Sequence, residues 1–409
     1  MKRHVLFLTY HLPMNDEPGA FRPWMEARLL LEAGFEVTVV TCGVQYMTGK
    51  DIRKGHGWCT EEIQRGIRIL RTWAPTDHRR FLVKRALNYS SYAILAGIAS
   101  LFKVGKVHNV FVGTDPIFLM PIVFLVALIK GAPMVLDERD LFPETAVALG
   151  VIREGLISRF LFHMQQFFRH KACFILTATP GIKSRLVAYG SPEGKVQLLY
   201  NADVYLDEDL KDSKFQRSLR EEVGKHFLVG YAGGLGRAND IPTLLRAASH
   251  MKDIGELGIV IIGSGERRKV YEEYCFIHNL DNVYFLNSLP RSEARQFLKQ
   301  IDVCVQPLPK DKHFSHTLTS KTFDYHGLGK PTVFCGHGDT VELLRASGGG
   351  ISVEPEDDLA LAETIRKLWG DKSLRLKMGS SGRAWFETNI DIRACCLIMK
   401  KAMEGHGPN

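Results

Sequence analysis

Short apolar runs recur along this chain, each bounded by glycine, proline or polar clusters. Between them lie longer segments whose apolar positions return every three or four residues. The first run, 5–10, predicts a strand. A Pro/Gly loop over 13–19 follows, then a helix over about 24–33 closed by Gly34, then a strand over 36–41. A strand, loop, helix and strand in that order predict the start of a parallel, doubly wound sheet. Further strands are expected at 67–72, 109–112, 133–137, 174–177 and 196–199, with helices in the gaps. One of these helices, 155–171, places Leu156, Phe160, Phe167 and Phe168 near helical spacing. The longest apolar run, 117–129, includes Pro121 and is short of the roughly 20 residues needed to span a bilayer. It predicts a buried helix.

The pattern breaks over 200–214, where Tyr200-Asn201-Ala202-Asp203 reads as a turn and an acidic stretch follows. A second series then begins. It predicts a strand at 227–231, a glycine loop at 233–236, a helix from about 241, and strands at 258–262 and 283–285. A helix at 293–300 and strands at 302–306 and 332–335 follow, and terminal helices close the chain. The fold class is therefore α/β with two Rossmann-like domains, 1–203 and 204–384, facing each other across a cleft. A terminal helix at about 385–405 is expected to pack back on the first domain. Ligands of such open sheets sit outside the carboxyl ends of the strands.

Charge adds an asymmetry. Residues 1–200 carry 25 Lys and Arg against 16 Asp and Glu, whereas the remainder carries 28 against 29. No acid occurs from 78 to 114, where Arg79, Arg80, Lys84, Arg85, Lys103 and Lys106 lie, and none from 155 to 192. Basic segments mixed with aromatics suit an anionic membrane surface or nucleic acid. No recognised nucleic-acid module is present, so nucleic acid is not expected as a partner. The eight cysteines show no Cys-x-x-Cys spacing, and the fifteen histidines form no ligand pattern, so no metal site is expected. Free thiols fit a reducing cytoplasm. The run after Lys2 and Arg3 is too short for a secretory leader, which also points to a cytoplasmic protein.

Two segments carry candidate chemistry. Gly233-Gly234-Leu235-Gly236-Arg237 follows a strand and precedes a helix. Glycines there let backbone N–H groups approach phosphate oxygens, and Arg237 is placed to fork onto one. The alternative is a tight turn made for packing alone. The block 319–333, TSKTFDYHGLGKPTV, sets Ser320 to cap a helix that Lys321 starts, with Asp324 one turn on and on the same face. A lysine and a carboxylate so placed suit a diphosphate and a ribose diol. A surface salt bridge between Lys321 and Asp324 is the competing reading.

The second half resembles the nucleotide-binding half of retaining glycosyltransferases of family 4, which have the two-domain GT-B fold. The landmarks are YAGGLGRANDIPTLLRA at 231–247, IIGSGERR at 261–268, VYFLNSLPRSE at 283–293, IDVCVQPL at 301–308, and the block at 319–333. DERDLFPETAVALG at 137–150 is similar to the Arg-Asp-Leu-Trp-Pro-Glu-Ser stretch of a subgroup acting on lipid-linked sugars, the fucosamine transferase-like enzymes of surface-polysaccharide assembly. LLYNADVY at 198–205 resembles the family's linker.

The resemblance implies transfer of a sugar, with retention and without a metal or other cofactor, from a nucleotide-sugar, expected to be a UDP-sugar. The acceptor implied is a glycan or a polyprenyl-diphosphate-linked sugar at an anionic membrane surface. The protein would attach peripherally to the inner face through 79–106 and 156–171. It places Gly233, Gly234, Gly236, Arg237, Gly263, Leu289, Thr319, Ser320, Lys321 and Asp324 around the nucleotide-sugar. It sets Arg139, Asp140 and His316 near the reaction centre, and Gly19 and Arg22 toward the acceptor. Of the family's Glu-x7-Glu pair, the first position is His316 here and the second is shortened to Asp324. The family's phosphate-binding arginine aligns with Gly234 and its lysine with Asn239, which leaves Arg237 and Lys321 to hold the diphosphate. A nucleotide-sugar epimerase of the same fold and a non-catalytic scaffold that binds nucleotide-sugar or glycan are the other readings.

Overall fold

The computed structural model describes residues 2–13, 21–45, 49–76, 82–148, 150–212 and 218–405. The chain forms two compact units. The first comprises Met1–Val147, Ile152–Tyr200 and Ile392–Asn409, and the second Ala148–Val151 and Asn201–Asp391.

The strands of the first unit are β1 (His4–Leu8), β2 (Glu36–Cys42), β3 (Cys59–Gln64), β4 (Ile67–Thr72), β5 (Asn109–Gly113), β6 (Met134–Glu138), β7 (Phe174–Thr177) and β8 (Val196–Leu198). They lie in the order β3-β4-β2-β1-β5-β6-β7-β8, parallel except for the β3–β4 hairpin. β1 and β5 are buried at every position, the mark of a sheet covered on both faces. The second unit contains β9 (Phe227–Ala232), β10 (Leu257–Ile262), β11 (Val283–Leu286), β12 (Val303–Pro307), β13 (Thr332–Cys335) and β14 (Gly350–Val353), in the parallel order β11-β10-β9-β12-β13-β14. In each sheet the order reverses beside the first strand of the series, which leaves a crevice at the carboxyl ends of β1 and β5, and of β9 and β12.

Several expectations change. β3 has no apolar run, because an edge strand needs little burial. It forms through the Arg65–Gly66 turn, where both residues have positive φ. β14 is a four-residue edge strand preceded by glycines. The apolar run at 117–129 is not a buried helix. Helix Leu119–Lys130 buries Leu119, Met120, Val123, Val126 and Ala127, but leaves Leu125, Leu128 and Ile129 exposed. The C-terminal region is not one helix over 385–405. Helix Lys372–Asn389 belongs to the second unit, and helix Ile392–Glu404 returns to the first. There the Cys396 thiol lies 3.7 Å from the Leu29 carbonyl of helix Arg22–Glu32.

Candidate functional site

The carboxyl end of the second sheet is built on two glycine loops that touch. Beyond β9, the Gly233 N–H donates to the Ile262 carbonyl and the Leu235 N–H to the Ser264 carbonyl, each at 2.9 Å. The β9–β10 ladder thus continues past the strand ends. A Cβ at Gly263 would fall 1.9 Å from the Gly233 carbonyl oxygen, and one at Gly265 2.3 Å from that of Leu235. Both positions require glycine for backbone to meet backbone. A Cβ at Gly233 would fall 2.2 Å from Cε of Lys321, so glycine there lets the lysine pass against the loop. Gly234 and Gly236 have nothing within 4 Å of a notional Cβ. Packing does not demand those two glycines, and they leave open space beside the backbone.

Lys321 occupies the first turn of helix Ser320–Gly327. Its Nζ donates to Asn239 Oδ1 at 3.3 Å and stands 5.4 Å from the centre of the buried Tyr231 ring. Asn239 is a hub. Its Nδ2 donates to the Gly234 carbonyl at 3.1 Å, and its Oδ1 also accepts from Gln306 Nε2 at 3.4 Å. The Tyr231 hydroxyl donates to the same Gly234 carbonyl at 2.9 Å. Among the described residues, the fully buried Gln306 Oε1 has no hydrogen-bond partner. Burial pushes the Lys321 ammonium down to about 8, against the pull of the Asp324 carboxylate.

The helix is fixed from behind. The Ala232 N–H donates to the Tyr325 hydroxyl at 3.4 Å, and His326 Nε2 lies 2.8 Å from Ser347 Oγ. Ser320 is not its cap. Thr319 holds the N-cap position with no side-chain capping bond, its Oγ1 lying 3.3 Å from Thr322 Oγ1. The first turn's partial positive charge is therefore not met by a capping side chain.

Asp324 forms no ion pair with Lys321 among the described residues. Arg291 Nη2 and Arg295 Nη2 reach its Oδ1 at 3.2 and 3.0 Å, and Arg291 Nη2 also lies 3.4 Å from Oδ2. Arg295, 1% exposed, also donates to Asp203 Oδ2 at 2.6 Å. Burial raises the Asp203 carboxyl, but Arg291 and Arg295 outweigh it and hold it below the usual range. A cavity of about 270 Å³ lies near the ends of β12 and β13. Its lining includes Asp311, Phe314, Ser315 and His337. His316 adjoins Ser315 at the end of the turn Lys312–His316.

The carboxyl end of the first sheet carries a buried cluster of charges. Arg22 Nη2 donates to Asp137 Oδ1 at 2.7 Å and Nη1 to the Leu199 carbonyl at 2.8 Å, and its Nε lies 2.9 Å from Glu26 Oε1. Arg139 closes the ring from the other side, pairing with Asp137 and reaching Glu26 Oε2 at 3.2 Å. Burial would raise Asp137, but Arg139 and Arg22 hold it below the usual carboxylate range. Burial and the Asp137 charge push Glu26 the other way. Burial and the neighbouring Asp140 push Asp115 up to about 7, and burial raises Asp140 too. Among the described residues, no group of three or more His, Cys, Asp or Glu side chains is placed to hold a metal ion.

Both halves match family models. Residues 22–202 match the glycosyl transferase 4-like domain and residues 212–385 the glycosyl transferases group 1 domain. The chain belongs to the GT-B glycosyltransferases. It is 23% identical over 226 residues to an uncharacterized glycosyltransferase of Methanocaldococcus jannaschii, covering 53% of this chain and 56% of that protein. It is 22% identical over 238 residues to the capsular polysaccharide biosynthesis glycosyltransferase CapM of Staphylococcus aureus, covering 56% and 61%. The matched stretch thus spans little more than half the length of these curated relatives. Among solved structures, HepE of Anabaena in complex with UDP shares the fold with a TM-score of 0.65 at 14% identity, over 99% of this chain and all of that one.

Within this member of the family, the residues singled out by sequence fall in different places. Gly233, Gly263, Lys321, Thr319 and Ser320 converge at the end of β9, beside the open backbone of Gly234 and Gly236. Arg237 does not join them. It is 70% exposed and faces Glu266 at 3.5 Å, because the loop has already turned outward after Gly236. Leu289 packs against the buried apolar cluster that includes Phe297 and Tyr325. In the first unit Arg139 and Asp140 lie at the end of β6. Arg22, expected to face an acceptor, is instead 2% exposed and locked between Glu26, Asp137 and Leu199. Gly19 lies outside the described residues.

Sequence reasoning missed the work of Arg268, whose Nη1 donates to the Gly263 carbonyl, the Leu286 carbonyl and Asn287 Oδ1 at 3.0, 3.1 and 3.0 Å. It also missed the pairing of Arg291 and Arg295 with Asp324. Their spacing of four on one helix was the only available signal.

Proposed function

We propose that this protein is a retaining, metal-independent glycosyltransferase. It moves a hexosyl or N-acetylhexosaminyl unit from a UDP-sugar to a glycan or polyprenyl-diphosphate-linked acceptor in cell-surface polysaccharide assembly. In this reading it belongs with the fucosamine transferase-like enzymes and works at the cytoplasmic face of a membrane. The observation that carries the reading is Lys321. Its ammonium meets Asn239, where the family has a lysine, at the edge of the Gly233 loop and in the first turn of a helix with no capping side chain. The cation has moved from loop to helix but serves the same spot.

Charge builds on the departing diphosphate as the glycosidic bond lengthens. The Lys321 ammonium and the backbone N–H groups of the first helical turn stabilise it there without reorganising. This supplies the electrostatic help for which other transferases recruit a cation. Asp324 is steadied mainly through Oδ1 by two arginines, and its Oδ2, in a long 3.4 Å contact with Arg291, accepts from the ribose diol. Arg139, held by Asp137 and Glu26, and the neighbouring Asp140 are the first unit's candidates for the reaction centre. The departing phosphate takes the acceptor's proton on the same face. HepE is seen with UDP and with UDP-glucose, and CapM is named for capsular polysaccharide biosynthesis, which supports the choice of nucleotide and pathway class.

The test incubates the protein with a panel of UDP-sugars and polyprenyl-diphosphate-linked sugars, with and without EDTA, and reads UDP release and product anomeric configuration by NMR. An axial donor should give an axial linkage, unaffected by EDTA. Absence of turnover together with no thermal stabilisation by any nucleoside diphosphate would overturn the proposal.

A further inference from the structure

Helices Leu82–Phe102, Leu119–Lys130 and Leu156–Lys171 lie side by side on the first unit. Gly97 of the first lets the second approach so closely that a Cβ there would fall 2.5 Å from Ile122 Cγ2. Phe124 of the second meets Phe167 and Phe168 of the third, with ring centres 5.4 and 6.0 Å apart. The inner sides of all three join the core. The outer sides are unusual for solvent-facing helices. Ile94, Phe102, Leu125, Leu128, Leu156 and Phe160 are between 51 and 84% exposed, two on each helix. None of the three helices contains an Asp or Glu. The exposed charges on or beside them include Lys84, Arg85, Lys103, Arg159 and Lys171, with one acid, Glu154, just before the third helix.

A solvated helix face carries charges of both signs. A face that is mostly aliphatic in the middle, predominantly basic at the margins and without acid on its helices fits one kind of surface. We propose that these three helices form the face on which this protein rests on an anionic lipid bilayer. A second copy is disfavoured because two basic rims would meet. Nucleic acid is disfavoured because most of these exposed apolar groups are aliphatic and offer no stacking platform. No helix among the described residues is long and apolar enough to cross a membrane, so the contact is in the plane of the interface. The Leu119–Lys130 helix stands at its centre, with Leu125, Leu128 and Ile129 exposed on its outer side. The inference narrows the proposal of a membrane-borne acceptor to a specific surface.

The experiment is co-flotation of the full chain with vesicles of phosphatidylcholine alone, or with added phosphatidylglycerol, at low and high salt. A double variant, Leu125→Glu with Leu128→Glu, is run beside wild type. Wild type should float with phosphatidylglycerol vesicles and much less with phosphatidylcholine or at high salt. The double variant should lose at least tenfold in vesicle affinity while keeping the same thermal stabilisation by UDP. Equal binding to both vesicle types, no binding by wild type, or unchanged binding by the variant would overturn the inference. So would a wild-type dimer in solution that the variant converts to monomer without altered vesicle binding. Loss of UDP stabilisation in wild type would strike the transferase reading and leave the docking face standing.

Discussion

Replacing Lys321 with alanine tests the core of the nucleotide site. Among the described residues its Nζ has one side-chain acceptor, Asn239 Oδ1 at 3.3 Å, and burial pushes the ammonium down to about 8. A hydrogen bond to a charged group contributes about 1.5–3 kcal/mol. Its loss should weaken UDP binding roughly ten- to hundredfold at pH 7. The pH dependence follows from the same group. Diphosphate favours the protonated lysine, so binding above pH 8 must take up a proton. The protonated fraction of the free protein falls from about nine-tenths at pH 7 to about one-tenth at pH 9, and wild-type affinity should fall about tenfold over that range. In Lys321→Ala the slope should vanish. Because Asn239 lies against the ammonium, Asn239→Lys in the Lys321→Ala background restores a cation at the same place, and affinity should return to within about threefold of wild type. Titration calorimetry in two buffers of different ionisation enthalpy measures affinity and proton uptake together. Unchanged affinity in Lys321→Ala, or a pH 7–9 slope that survives in it, would refute the assignment of Lys321 to the diphosphate.

Three other substitutions probe what surrounds the lysine. Gly263→Ala forces a methyl to within 1.9 Å of the Gly233 carbonyl, so the loops must part. We expect about 2–3 kcal/mol lost in urea unfolding, together with weakened UDP binding, whereas Gly236→Ala, with open space, should leave stability nearly unchanged. Arg295→Met removes one of the two arginines shared by Asp203 and Asp324. Two largely buried carboxylates then keep Arg291 as their arginine partner, at a cost of about 3–5 kcal/mol in stability. Denaturation near pH 7 reads it, and a loss under 1 kcal/mol would show that Arg291 suffices.

The layer pattern was legible in the sequence because buried parallel strands are continuous apolar runs. The strands at Ile67–Thr72, Phe174–Thr177 and Thr332–Cys335 stand where periodicity puts them. Edge strand β3 was not legible, since one-sided burial leaves polar residues along it. The helix Leu119–Lys130 misled for the opposite reason: its composition is apolar all round, and composition does not say which side the core takes.

The glycine loops and the lysine at 321 were visible as types at a spacing. That spacing could not show which glycines are there for packing and which leave open backbone. Only the tertiary structure decided this, because the neighbours that would meet a Cβ come from other loops: Gly233 for Gly263, and Lys321 for Gly233. It likewise withdrew Arg22 from the surface, turned Arg237 outward, and gave Asp324 two arginines instead of Lys321. A charged side chain finds its partner through space, and partners separated by 115 residues in the chain, as Arg22 and Asp137 are, leave no mark on local sequence.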